Sequence, residues 1–231
     1  MKPEISRTTI INPDQSAVYL IGKDEIPESL FLTKSEKEYA LKQISAKEDF
    51  VVINSYFKTT YIVRVKEPEN LFKAKEELRK TAFNLRKQIR ANDHRELVIF
   101  SDRVFSGALE AFTEGLVLSF YSFDKYRTRK EKEENKNYPS KLLLHGDIDD
   151  QSIKWLSDLT DAVYAVRDLI NEPVNHLNAV ALAEEIRKMG TSAGLKVEVM
   201  NKGKIEALKM GGLLAVNKGS VDPPVFCILE W

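Results

Sequence analysis

Cysteine is almost absent from this chain: Cys227 stands alone among 231 residues. No intrachain disulfide can form, which suits a reducing compartment, and a Cys-rich structural zinc site is excluded. Histidine is scarce too. His94, His145 and His176 are widely separated, so no HExxH segment places two imidazoles one helical turn apart. Neither sign of charge is in excess, since 35 Lys+Arg balance 35 Asp+Glu. That balance disfavours a broadly basic nucleic-acid binder, although it leaves room for a local patch. No apolar run approaches the roughly 20 residues that span a bilayer. Met1-Lys2-Pro3-Glu4 lacks the apolar core of a signal peptide, so the expected address is the cytoplasm. Phosphate loops of the GxxxxGK(S/T) type, GxGxxG turns and GxSxG elbows are all missing.

The residues present are ordinary globular material. Hydrophobic residues make up 43% and charged residues 30%, enough for a core in one large domain or two smaller ones. Ala17–Ile21, Phe50–Ile53, Thr60–Val65, Glu96–Phe100 and Leu142–His145 are β-branched or apolar runs of strand length. The short connection Asn54–Lys58 suggests a hairpin between the second and third. Thr33 with Glu36 three residues on is a capping-box pattern for a helix through Ile44.

Leu71–Ala91 is the clearest helix. Leu71, Ala74, Leu78, Ala82, Leu85 and Ile89 share one face, while Lys75, Glu76, Arg79, Lys80, Arg86, Lys87 and Arg90 lie on the other. The bland reading of that second face is a solvated surface, and the sharper one is a nucleic-acid stripe. Phe105–Tyr121 reads as a buried helix, and Tyr126–Lys141 as an exposed charged loop. Asp147-Ile148-Asp149-Asp150 tempts a calcium reading, but its spacing fits no EF-hand loop. Asp149 or Asp150 as the cap of a helix Gln151–Ile170 fits better.

Asn171-Glu172-Pro173 stops that helix. Asn178 is expected to cap the next one through Met189, with Gly190 and Gly194 at its exit. Then come a strand at Leu195–Val199 and a short helix Lys204–Met210 stopped by Gly211-Gly212. A last strand starts at Pro223. Strands and helices alternate throughout, so the class is α/β. The boundary is placed at residues 148/149. An apolar strand at the very end normally wants neighbours on both sides, so the natural protein is expected to continue beyond Trp231.

Three ordered segments carry a family resemblance. Glu114-Gly115 with Tyr121-Ser122-Phe123-Asp124-Lys125-Tyr126 resembles the "EG…Y-x-FD-x-Y" segment of leucyl aminopeptidases. Arg167–Asn175 is similar to their "R-x-L-x-N-x-P-x-N" segment. Met210–Val216, with Gly219-Ser220, Pro223-Pro224 and Leu229-Glu230, resembles the next stretch of those proteins in the same order. One departure is Asn178-Ala179, where members often carry Thr or Ser followed by Pro.

The resemblance implies an N-terminal domain, residues 1–148, with a macro-domain-like mixed sheet flanked by helices. Residues 149–231 would be the opening α/β elements of a catalytic domain. It also implies a cytosolic, hexameric metallopeptidase that removes N-terminal residues from peptides with two divalent metals, zinc or manganese. In that chemistry a metal-bridged hydroxide attacks the scissile carbonyl. The family's metal ligands and assisting Lys and Arg lie downstream of the segment matched by Leu229-Glu230. No catalytic or metal residue is therefore carried over, and this segment is expected to bind no cofactor and to be inactive alone. Lys218 superficially resembles a ligand-bearing "GKG" turn but precedes it.

Asn171, Asn175 and Arg167 are the candidate supporting or structural residues. Arg167 and Asp168 could equally pair across domains or be solvated, and Tyr121, Phe123 and Tyr126 are read as packing residues. A homo-oligomer and a peptide substrate are the implied partners, and neither membrane nor nucleic acid is expected. The alternative is a non-catalytic macro-like ligand-binding or nucleic-acid module. Against its ligand-binding form, Gly22 and Gly107 stand alone where a phosphate loop needs several glycines.

Overall fold

The structure, a computed structural model, describes residues 2–22, 26–27, 30–46, 48–102, 104–128 and 137–231. It divides into two compact units, Met1–Tyr164 and Ala165–Trp231. The first holds a mixed sheet of β1 (Glu4–Arg7), β2 (Ala17–Ile21), β3 (Phe50–Ser55), β4 (Lys58–Arg64), β5 (Glu96–Asp102) and β6 (Lys141–His145). Their order is β1-β6-β5-β2-β4-β3. Neighbours are parallel except β3, which runs antiparallel to β4. The antiparallel pair is the expected hairpin, with Tyr56 and Phe57 at its tip.

Central strands alternate between two cores because successive side chains point to opposite faces. Val18 and Leu20 of β2 and Leu97 and Ile99 of β5 face one way. They meet Leu78 and Leu85 of helix α2 (Leu71–Ala91) and Phe112 and Leu116 of helix α3 (Ala108–Ser119). Tyr19, Ile21, Val98 and Phe100 face the other way, onto Ala40 and Ile44 of helix α1 (Lys34–Ser45). Burial on both faces explains why β2 reads as a continuous apolar run rather than an alternating one.

The helix starts are set by their side chains. Thr33 Oγ1 accepts from the Glu36 N–H at 3.3 Å, and Glu36 accepts from the Thr33 N–H at 2.8 Å, a closed capping box. Glu36 also accepts 2.5 Å from Ser55 Oγ, tying α1 to β3. Asp149 accepts 2.7 Å from the Ser152 N–H at the start of helix α4 (Asp150–Asn171). The Ser152 hydroxyl, and then this N–H, hold the Asp149 carboxyl below its ordinary value. The helix-cap role is thus the one the structure gives this aspartate.

In α2, Leu78, Ala82, Leu85 and Ile89 are buried as expected. Leu71 is not: the whole first turn, Leu71 to Lys73, is exposed. Of the charged loop Tyr126–Lys141, residues 129–136 lie outside the described residues.

The second unit contains helix α5 (Ala179–Ser192), β7 (Lys196–Met200), α6 (Lys202–Ala207), α7 (Gly211–Asn217) and β8 (Phe226–Glu230). β7 and β8 pair antiparallel. Two expectations change here. Gly190 lies inside α5 rather than at its exit, and it is a glycine there because a Cβ would collide with Val197 Cγ2 of β7. Gly211-Gly212 open α7 instead of ending α6. The break falls at Lys209, whose φ of 57° reverses the chain. Among the described residues no helix is long and apolar enough to cross a membrane.

Candidate functional site

The residues that carry the family resemblance do structural work in the first unit. Glu114 on α3 accepts a 2.9 Å hydrogen bond from Arg79 Nη2 of α2, with Glu114 largely buried. Gly115 beside it lets the two backbones meet: a Cβ there would sit 2.5 Å from Arg79 Cα and 2.6 Å from Arg79 O. Arg86 Nη1 donates to the Ser119 carbonyl at 2.9 Å, and Arg90 Nε donates to the Asn137 carbonyl at 3.2 Å.

This corrects the reading of that α2 face as a solvated surface. Its arginines are half-buried clamps, while Lys80 and Lys87 stay exposed. The discriminating signal is residue type. Arg carries a planar fork that can bond carbonyls and carboxylates at a packed interface, whereas Lys keeps a strongly hydrated charge. The nucleic-acid stripe therefore has fewer free cations than the sequence suggests. Of the two further arginines that a nucleic-acid module could use, Arg127 lies 3.5 Å from Asp124, and Arg129 lies outside the described residues.

Tyr121 meets Tyr164 edge-on, with centroids 5.1 Å apart, and Tyr164 Oη donates to the Val117 carbonyl at 2.8 Å. Phe123 packs against Tyr126 at 5.9 Å, and Ser122 Oγ donates to Asp124 at 2.7 Å. The aromatic residues of the "Y-x-FD-x-Y" segment thus pack on neighbouring rings.

In the second unit, Arg167 and Asn171 occupy the last turns of α4. Asn171 Nδ2 donates to the Arg167 carbonyl at 2.7 Å, so these two candidates are brought together through backbone. Asn175 sits exposed in the next turn, where the His176 and Leu177 N–H groups each donate to the Pro173 carbonyl at 2.9 Å. Asn178 Oδ1 accepts from the Ala181 N–H at 3.0 Å and caps α5, so Asn replaces Thr or Ser without loss of the helix start. Asn178 Nδ2 also reaches Asp222 at 3.4 Å. Lys218 is exposed at the end of α7.

A metal centre needs converging donors. Among the described residues no three His, Cys, Asp or Glu side chains converge in that way. The described side chains do not fit a two-metal site.

Residues 164–231 match the family model for the catalytic domain of the cytosol aminopeptidase family. A probable cytosol aminopeptidase of Chloroherpeton thalassium is 40% identical over 149 residues, which are 56% of this chain and 28% of that protein. One of Aquifex aeolicus is 32% identical over 169 residues, 72% of this chain and 33% of that protein. The chain thus spans about a quarter to a third of the length of the curated relatives it matches. Among solved structures, a tomato leucine aminopeptidase mutant aligns with a TM-score of 0.75 at 19% identity, over 98% of this chain and 50% of that one. The bottromycin maturation enzyme BotP in complex with Mn aligns at 0.71 and 20% identity, over 94% and 45%. These two likenesses establish the shared fold.

Proposed function

We propose, from the premise that the chain belongs to the leucyl aminopeptidase family, that it is the N-terminal portion of a metal-dependent aminopeptidase. Residues 1–148 supply the macro-like domain and 149–231 the opening of the catalytic domain, with the first half of α4 packed into the first compact unit through Leu156 and Tyr164. This portion serves assembly and domain packing. The observation that carries the reading is the catalytic-domain match on residues 164–231, in a chain that spans about a third or less of its curated relatives' length.

The parent protein removes N-terminal residues from peptides, leucine among them, in the cytoplasm and as a homo-oligomer of the hexameric kind. It would draw on two divalent metals, zinc or manganese, held by residues other than those described in this chain, and such metals would supply activated water and carbonyl polarisation. Within the present chain, Arg167, Asn171 and Asn175 shape the turn between α4 and α5 and thereby support a cleft formed with downstream residues. Arg79, Arg86 and Arg90 hold α2 against its neighbours and are not offered to nucleic acid.

Equilibrium dialysis of the 1–231 protein against Mn2+ and Zn2+ tests the division of labour. The expected result is no stoichiometric uptake. Tight binding of two metals per chain would overturn it.

A further inference from the structure

A cleft of about 540 Å³ opens at the end of the sheet where β2, β4 and β5 begin. That volume lies within the range of small-molecule sites. It is the opposite end from the strand C-termini, where open α/β sheets usually bind ligands. One wall is the hairpin tip. Tyr56 and Phe57 are 100% and 94% exposed, so the fold holds two adjacent rings in water.

The tip is also strained. Tyr56 has φ 57°, in the left-handed region that hairpins normally fill with Asn or Gly. Asp93, on the facing wall, has φ 47°. Phe31, with φ 48°, is fixed through its carbonyl, which accepts from Lys58 Nζ of the cleft at 3.3 Å. Left-handed backbone at bulky residues persists only where surrounding structure enforces it, and such residues gather at ligand sites.

Side chains tie the walls together in advance. Asn54 Nδ2 donates to Asn92 Oδ1 at 3.1 Å, bridging the hairpin to the loop after α2. Asn92 Nδ2 donates to the Gln88 carbonyl at 2.7 Å and to Tyr61 Oη at 3.2 Å. Tyr61 Oη in turn lies 2.7 Å from His94 Nε2. Burial pushes the Tyr61 phenol up to about 12 and the His94 imidazole down. Tyr61 Oη accepts from Asn92 and also reaches the Gln88 carbonyl at 3.4 Å, and the imidazole tautomer sets whether His94 Nε2 donates or accepts. Lys58 Nζ donates to the Pro13 carbonyl at 2.6 Å, and the Thr59 N–H donates to Ser16 Oγ at 2.9 Å. These bonds pin the third loop.

Chemistry of the lining selects the ligand. Leu, Ile, Val, Ala and Met are absent from it, so a purely apolar molecule gains little there. With Asn92 Nδ2 and His94 Nε2 engaged in those bonds, Asn54 Oδ1, the Gln15 amide nitrogen and the carboxylates of Asp14, Asp93 and Glu96 are the lining groups placed to meet hydroxyl groups. The exposed rings offer flat apolar faces to a ring's C–H side. Asp14, Asp93 and Glu96 outnumber Lys58 and Arg95, which works against an anionic ligand.

We propose that this cleft binds a neutral, hydroxyl-rich ring, a hexose or its N-acetylamino derivative, with Tyr56 and Phe57 as the stacking platform. The proposal is independent of the aminopeptidase reading. Its test is a titration of isotope-labelled 1–231 protein by nuclear magnetic resonance. The probes are glucose, galactose, mannose and N-acetylglucosamine up to tens of millimolar, with adenosine as the comparison ring. At least one sugar should give saturable shifts confined to residues 54–58 and 92–96.

The double variant Tyr56→Asn, Phe57→Gly places a favoured hairpin turn at the tip. It should keep or raise the melting temperature and weaken sugar binding at least tenfold. Absence of a saturable response to every sugar, a response to adenosine alone, or unchanged binding by the double variant overturns the proposal.

Discussion

Glu114 and Arg79 bridge α3 and α2 at 2.9 Å, with Glu114 the more buried partner. The adjoining Gly115 lets Arg79's backbone come within 2.5 Å of where a Cβ would stand. Charge and close approach therefore act on the same residue from two neighbouring positions. Gly115→Ala must push the helices apart, because the obstructing atoms are backbone. Overpacking of this kind costs about 1–3 kcal/mol. Chemical denaturation of the variant should show that loss, and wild-type stability would contradict the close-packing account.

Removing the charge partner separates the two contributions. Glu114→Gln keeps the volume but leaves the half-buried Arg79 without its carboxylate. Pairs between the fully exposed and fully buried limits lose about 1–3 kcal/mol when one member goes. A matching Arg79→Gln variant and the double variant complete a cycle. A coupling energy near zero would show that Gly115, not the ion pair, sets this interface.

Acid should weaken the first unit in two steps. Ser55 and Thr33 bonds to Glu36 hold its carboxyl below the ordinary value, the Ser55 side chain contributing most. A depressed carboxylate stabilises above its unfolded value, and that support is lost as pH falls through the folded one. His94 is also depressed, chiefly by burial, from the ordinary 6.5. Below that value the unfolded chain takes up the proton first, so stability falls as pH drops from about 6.5 toward the lower folded value. Stability curves against pH should show both limbs. His94→Gln should flatten the upper one and Glu36→Gln the lower, and unchanged profiles would refute these assignments.

In the second unit, Gly190 faces Val197 Cγ2 across the α5–β7 contact. A β-branched side chain has little freedom to yield, so Gly190→Ala should destabilise by about 1–3 kcal/mol. The clash is with a side chain, so Val197→Ala in the same molecule should recover much of the loss. Failure of that rescue would place the cost elsewhere.

Much of this architecture is legible in the sequence because local signals agree with global ones. The capping box at Thr33 and Glu36, the apolar run of β2 and the Asn178 cap each give position and type. Strand β1 carries no such signal, because Ile5 is the single apolar residue in Glu4–Arg7. It is a strand because β6 offers it a parallel edge, from Glu4 opposite Lys141 to Arg7 opposite Leu144. The glycines at 211 and 212 mislead about the end of α6 because Lys209, not glycine, adopts the left-handed backbone.

The role of Arg79 is hidden in the sequence because its partner lies 35 positions away. Helical spacing reports which residues share a face but not what covers that face. The cleft beside Tyr56 is equally invisible: its three loops are distant in sequence and meet only at one end of the sheet.

Hydrolysis of a leucine chromogenic substrate by purified 1–231 protein, with Mn2+ or Zn2+ supplied, tests the central claim most directly. The account predicts no turnover above the metal-only blank. Turnover that scales with protein concentration and disappears with a chelator would contradict it, and would require a catalytic centre within these 231 residues.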